Sequence, residues 1–221
     1  MCERAQPVKT STMNCASLLS FHSMNEINPL VPPLRFSHIQ DNLFRGGYPR
    51  QINFSFLESL KLKTIISLTP ESIDELTDPS LYKFASEHNI QLVHIECAHS
   101  GKGKKRGVPM GYTTILEALS FIIHDTFAPV YFHCLNGGQV TSLVVACLRK
   151  IQFWSSIAIF NEFINFTSNM TVNDRSFVDG FRGEVMYQPE DKVKWLWVGI
   201  SKGVIGSHPT IKVTESKSSY H

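Results

Sequence analysis

Two periods of hydrophobicity run through this chain. Short apolar runs closed off by turn residues predict strands, and longer stretches with apolar residues three and four apart predict helices. Phe36-Ser37-His38-Ile39, then Asn42-Leu43-Phe44-Arg45, predicts a short hairpin, with a turn at Gly46-Gly47-Tyr48-Pro49. Asn53–Leu60 places Phe54 and Leu57 on one helical face, and Thr64–Leu68 is a buried strand that stops at Pro70. Asp78-Pro79 is an N-cap followed by a first-turn proline, so a helix runs from there to Asn89 with Leu81, Phe84 and Ala85 inward. Ile90–Ile95 is a strand, and Gly111–His124 is a helix with Ile115, Ala118, Leu119 and Ile122 on one face. Pro129 opens a strand at Val130-Tyr131-Phe132, and the apolar run Leu143–Leu148 ends in Arg149-Lys150, as a helix C-terminus often does. Ser155–Phe166 carries Ile159, Phe160, Phe163, Ile164 and Phe166 at helical spacing, which is core packing. Asn173–Phe181 predicts a last helix, capped by Asn173 or Asp174 and burying Phe177, Val178 and Phe181.

Strands that alternate with helices predict an α/β domain with a largely parallel central sheet. Its span is expected to be residues 34–183. Residues 1–33 are polar and irregular up to Pro32-Pro33 and read as a disordered arm. Residues 184–221 form an extension in which Trp195-Leu196-Trp197-Val198 docks as a strand or helix and Ser207–His221 is a polar tail. Composition narrows the function. With 221 residues and 43% hydrophobic content the chain can bury one ordinary core. A formal charge of +2 gives no reason to expect nucleic acid as a partner. Five scattered cysteines without C-x-x-C or metal-ligand spacing argue for a reducing compartment, and against a disulfide scaffold or metal site. No apolar run approaches the ~18 residues of a membrane span, and the N-terminus carries no secretory signal. No cofactor is expected.

The stretch that carries chemistry is His133–Ser142, HCLNGGQVTS. It joins the strand ending at Phe132 to the apolar helix, with Cys134 just after the strand and Gly137-Gly138 in the loop. A strand, a glycine loop and a helix N-terminus aim backbone N–H groups and the positive end of a dipole at one point, where an anion can sit. A cysteine there is favoured as its thiolate, the nucleophile of cysteine-dependent phosphatases. The loop is expected to span residues 134–140, with the helix starting near Thr141. Cys147, by contrast, reads as core.

The stretch resembles the H-C-x5-R-[S/T] signature of protein tyrosine and dual-specificity phosphatases. His133, Cys134, Gly137 and Thr141 fall on its His, Cys, central Gly and hydroxyl, and Val140 stands where the arginine belongs. Leu43–Pro49, Asn53–Leu57, Thr64–Glu71, Leu148–Trp154, Ile159–Phe163 and Asp174–Phe177 extend the likeness to the plant-and-fungal atypical dual-specificity phosphatases over about Leu34–Gly183. Within that group the chain is most similar to the fungal Oca proteins, named for oxidant-induced cell-cycle arrest. The resemblance implies a three-layer phosphatase-like domain and a cytoplasmic setting. It also implies a phosphorylated protein or an inositol pyrophosphate as ligand, and membership of an assembly of related Oca proteins. It makes Cys134 the catalytic residue, and His133, Leu135, Asn136, Gly137, Gly138, Gln139, Val140 and Thr141 the phosphate loop.

Two parts of that machinery have no obvious bearer. The family's arginine grips two phosphate oxygens as a bidentate fork. Losing one oxyanion donor typically costs about 3–4 kcal/mol, or 10²–10³ in rate. Residues 97–116, where the general acid is expected, contain no Asp or Glu; Glu96 and Glu117 flank that stretch, and Glu71 and Asp74 follow an earlier strand. Lys102, Lys104, Lys105 and Arg106, set among glycines, are candidates for an anion-binding lid, and Arg45 or Arg50 for a substitute cation. The expectation is a pseudophosphatase that binds phosphorylated ligand or partner proteins. The alternative is a slow phosphatase acting through a phosphocysteine.

Overall fold

The computed structural model describes residues 29–99, 107–168 and 170–216. Lys102, Lys104, Lys105 and Arg106, the candidates for a lid, and most of the N-terminal arm lie outside the described residues.

Strands β1 (Ser37–Gln40), β2 (Leu43–Gly47), β3 (Thr64–Thr69), β4 (Gln91–Glu96) and β5 (Val130–Cys134) form one sheet in the order β1-β2-β5-β3-β4. The hairpin pair β1–β2 is antiparallel and every other pairing is parallel. The hairpin turns at Asp41-Asn42, and Asn42 takes the left-handed conformation that asparagine tolerates. Because β3 and β5 have neighbours on both edges and helices on both faces, all their residues are buried.

Side chains alternate between the two faces. Ile65 and Tyr131 point to a layer built by Leu57 of α1 (Phe54–Ser59) and by Leu81 and Phe84 of α2 (Pro79–Glu87). Ile66, Leu68 and Phe132 point to the larger layer of α3 (Tyr112–Ile122), α4 (Gln139–Ile151), α5 (Ser156–Phe166) and α6 (Val172–Gly180). The result is the expected three-layer α/β domain. β5 is inserted between β2 and β3, so the C-terminal ends of three parallel strands meet at Gly47, Thr69 and Cys134. Ligands of open α/β sheets bind at such an edge.

Local signals behave as capping physics requires. Asp78 Oδ1 accepts the Leu81 N–H at 3.0 Å and Pro79 follows it. Four expectations are corrected. Gly46 and Gly47 are strand residues paired with His133 and Cys134. Without a Cβ at Gly46 the Tyr131 ring lies flush, and its hydroxyl donates to Gly47 O at 2.6 Å. The cap of α6 is Thr171, in a reciprocal box with Asp174, rather than Asn173 or Asp174. Ile164 faces outward, 50% exposed. Trp195–Val198 is a set of turns, with Leu196 and Trp197 buried and Val198 exposed.

The C-terminal residues hold a further difference. After β6 (Gly183–Tyr187) and the short helix α7 (Lys202–Gly206), the segment Ile211–Glu215 forms β7, parallel to β6, where a polar tail was expected. Its apolar residues are only Ile211 and Val213, alternating with Lys212 and Thr214, a strand pattern too short to stand out. Ile211 is 2% exposed, and β6 packs on α3. Among the described residues no helix is long and apolar enough to cross a membrane.

Ile211→Ala is expected to lower unfolding free energy by about 2–4 kcal/mol, measured by urea denaturation. A change near zero would mean that β7 does not dock as described.

Candidate active site

The candidate site begins where β5 ends. His133 is fully buried, and its Nε2 lies 2.9 Å from Ser67 Oγ on β3. Burial pushes its pKa down to about 3, so the ring is neutral. Cys134 follows, buried, with Sγ 3.8 Å from Asn136 Oδ1 and 4.0 Å from Thr141 Oγ1.

The loop is tighter than the sequence suggests. Cys134 is still in the strand, residues 135–138 make the turn, and α4 starts at Gln139 rather than near Thr141. Ser142 N–H donates to Gly138 O at 3.0 Å and closes the first helical turn, so Gly138 is the cap. Gly137 has φ +66°, and a Cβ there would lie 2.7 Å from the backbone of Gly46 and Gly47. The loop therefore rests directly on the two glycines of β2. Asn136 Oδ1 accepts the Gly138 N–H at 2.9 Å, and Leu135 is exposed at the rim. Val140, Thr141 and Ser142 are buried in the first turns of α4, whose positive dipole end faces the cradle. Gln139 Nε2 donates to Asp174 Oδ1 at 2.5 Å and to Gly107 O at 3.1 Å, tying the helix start to α6 and to the chain after the lid segment.

A model described as the tyrosine phosphatase family matches residues 30–200. The chain belongs to that family. OCA6 of Saccharomyces cerevisiae is 39% identical over 203 residues, spanning 86% of this chain and 90% of OCA6. Inositol diphosphatase DSP4 of Arabidopsis thaliana is 35% identical over 152 residues, 68% of this chain and 73% of DSP4. Among solved structures, the core catalytic domain of the PP-IP phosphatase SIW14 from S. cerevisiae, in complex with citrate, matches with a TM-score of 0.61. It is 30% identical, and the match covers 69% of this chain and 88% of that one.

In this tyrosine phosphatase family member Val140 lines a cavity of about 110 Å³ together with Leu68, His99, Cys134 and Asn136. Among the described residues no lysine or arginine lines that cavity or the adjoining one of about 160 Å³. Arg50 is exposed beside the short turn Gln51–Asn53. Arg45 lies behind the loop instead. It is completely buried, and its Nη2 donates to Gly137 O at 2.7 Å, Thr141 Oγ1 at 2.7 Å and Ser142 Oγ at 2.8 Å. Arg35 Nη1 holds another loop carbonyl, that of Asn136, at 2.8 Å.

The carboxylates divide in the same way. Glu96 and Glu117 are exposed on β4 and α3 and line neither cavity. Asp74 accepts the backbone N–H groups of Thr77 and Leu76, which hold its pKa below the usual carboxylate range, so it keeps no proton to donate. Glu71 alone of the four borders the adjoining cavity. His99 borders both cavities, and no motif in the sequence marks it. Cys147 is fully buried inside α4, as expected, and burial pushes its thiol well up. Among the described residues no cluster of His, Cys, Asp or Glu could hold a metal.

Gly137→Ala is expected to destabilise the fold by about 2 kcal/mol, because it combines a left-handed Cβ with a clash against β2. Chemical denaturation measures the loss, and orthophosphate binding should weaken in parallel. Wild-type stability in this variant would refute the close approach.

Proposed function

We propose that this chain is a pseudophosphatase of the atypical dual-specificity type, which binds a phosphorylated ligand at Cys134–Thr141 and does not turn it over efficiently. The observation that carries the reading is Val140. It lines the Cys134 cavity and offers no donor, and Arg45, a buried cation behind the loop, donates to Gly137 O and to the Thr141 and Ser142 hydroxyls. Backbone N–H groups and a helix dipole suffice to bind an anion. Stabilising the charge that grows in phosphoryl transfer takes a donor aimed at those oxygens.

The ligand class proposed is an inositol pyrophosphate, or a phosphorylated protein. Relatives named inositol diphosphatases support the first. The sequence of segment 100–106 carries four cations. Of its described neighbours, His99 borders the cavity shared with Cys134, and the carbonyl of Gly107 accepts from Gln139. Lys102, Lys104, Lys105 and Arg106 are therefore proposed to meet the ligand's remaining phosphates. The same reading includes a cytoplasmic setting and assembly with related Oca proteins.

A slow diphosphatase is the second reading, favoured by the Thr141 hydroxyl 4.0 Å from Sγ. It could ease departure of the thiolate from a phosphocysteine, and a leaving group that is itself a phosphate needs little help from an acid.

Calorimetric titration with an inositol pyrophosphate is expected to give wild type and Cys134→Ser affinities within about threefold of each other, with no phosphate released over the experiment. Release by wild type that Cys134→Ser abolishes would establish the slow diphosphatase instead. Val140→Arg is expected to raise hydrolysis of an aryl phosphate by ~10²-fold or more. A flat rate would place the defect in the loop's shape and not in the missing donor.

A further inference from the structure

Arg45 is a buried guanidinium with no carboxylate at hydrogen-bond distance. Four acceptors crowd Nη2: the oxygens of Gly137, Thr141 and Ser142 already described, and Gly138 O at 3.4 Å. Nε and Nη1 are buried and find no acceptor, and the guanidinium carbon stands 4.1 Å from the centre of the Phe166 ring. Desolvation lowers the pKa of Arg45 to about 10, which still leaves it charged at neutral pH. A buried charge of this kind needs a counter-charge.

Among the described residues, the groups that act on Arg45 electrostatically are Cys134, Glu162, Arg35 and Tyr131. Glu162 on α5 is already engaged by Arg149, whose Nε and Nη2 lie 2.8 and 2.9 Å from its two oxygens. Arg35 has the same sign. Burial pushes the Tyr131 phenol far above its ordinary range, so it stays neutral. On the sulfur's side, burial holds Cys97 as a thiol, pushed up to about 12, and His133 is neutral. His99 borders the same cavity. Cys134 remains as the partner. The connection runs through Thr141, whose Oγ1 is 2.7 Å from Arg45 Nη2 and 4.0 Å from Sγ.

We propose that Arg45 is a positioning residue that makes a buried ion pair with the Cys134 thiolate, bridged by the Thr141 hydroxyl. On ionisation the thiol proton leaves to solvent. The Thr141 hydroxyl proton, which lies toward Gly138 O at 3.0 Å, turns to the sulfur while Nη2 continues to donate to the same oxygen. The site thus keeps a cation, but on the far side of the loop from the ligand. That position supports the thiolate and cannot grip an incoming phosphate. The inference rests on the reading of Cys134–Thr141 as the anion cradle.

The test follows alkylation of Cys134 by iodoacetamide, read by peptide mass spectrometry across pH, in wild type, Arg45→Met, Arg45→Lys and Thr141→Val. Alkylation needs neither bound phosphate nor turnover, so failure here leaves the binding reading intact. Arg45→Met is expected to move the alkylation midpoint up by about one pH unit or more, a tenfold loss of rate at a pH below the midpoint. Arg45→Lys should recover part of that shift, and Thr141→Val should move the midpoint in the same direction as Arg45→Met. A role in packing alone would lower the melting temperature and leave the midpoint in place. An unmoved midpoint in folded Arg45→Met overturns the proposal. If that variant does not fold, an unmoved midpoint in Thr141→Val overturns it.

Discussion

A loop that turns its N–H groups toward one point must turn its carbonyls the other way. Here the other way is into the protein, where a carbonyl without a donor is costly. Arg45 resolves this for Gly137, the Ser142 N–H does so for Gly138, and Arg35 does so for Asn136 at the edge. The rest of the local architecture serves that arrangement. Two glycines in β2 let the loop descend far enough to reach the guanidinium, Phe166 covers the flat face of the cation, and Thr141 and Ser142 supply oxygens that share its donors. Removing any of these would expose a charge or a carbonyl to an apolar layer.

The order of strands and helices could be read from periodicity, because a sheet covered on both faces writes long apolar runs and the helices write regular faces. The cradle could be read because Cys134, the glycines and the following helix are contiguous in sequence. What could not be read came from distant parts of the chain. Arg45 is far from the loop in sequence, so it could be named as a candidate cation but not placed behind the loop, on its carbonyls. The glycine pair was misleading for the same reason: its purpose is to admit Tyr131 and the loop, which no local window contains. His99 gives no signal beyond its identity. β7 escaped because a strand of five residues with two apolar positions looks polar on average.

Binding and turnover make different demands on this site. An anion at rest is satisfied by dipoles that are already aimed, and these come with the backbone. A phosphoryl group in transit spreads charge over oxygens that need donors on their own side. In the proposed reading, valine at position 140 leaves the first capability and takes away the second, while Arg45 holds the loop carbonyl of Gly137 in either case. A valine at that position is compatible with the tight turn of residues 135–138.

The small sheet of β6 and β7 has a bearing on how the domain is made. α3 lies between the large sheet and β6, and one side of it is covered only when β6 docks and β7 pairs alongside. On the ribosome the phosphate loop is therefore synthesised before the layer that closes over α3. Until β6 and β7 have been synthesised, the face of α3 that β6 covers lacks its partner from this small sheet.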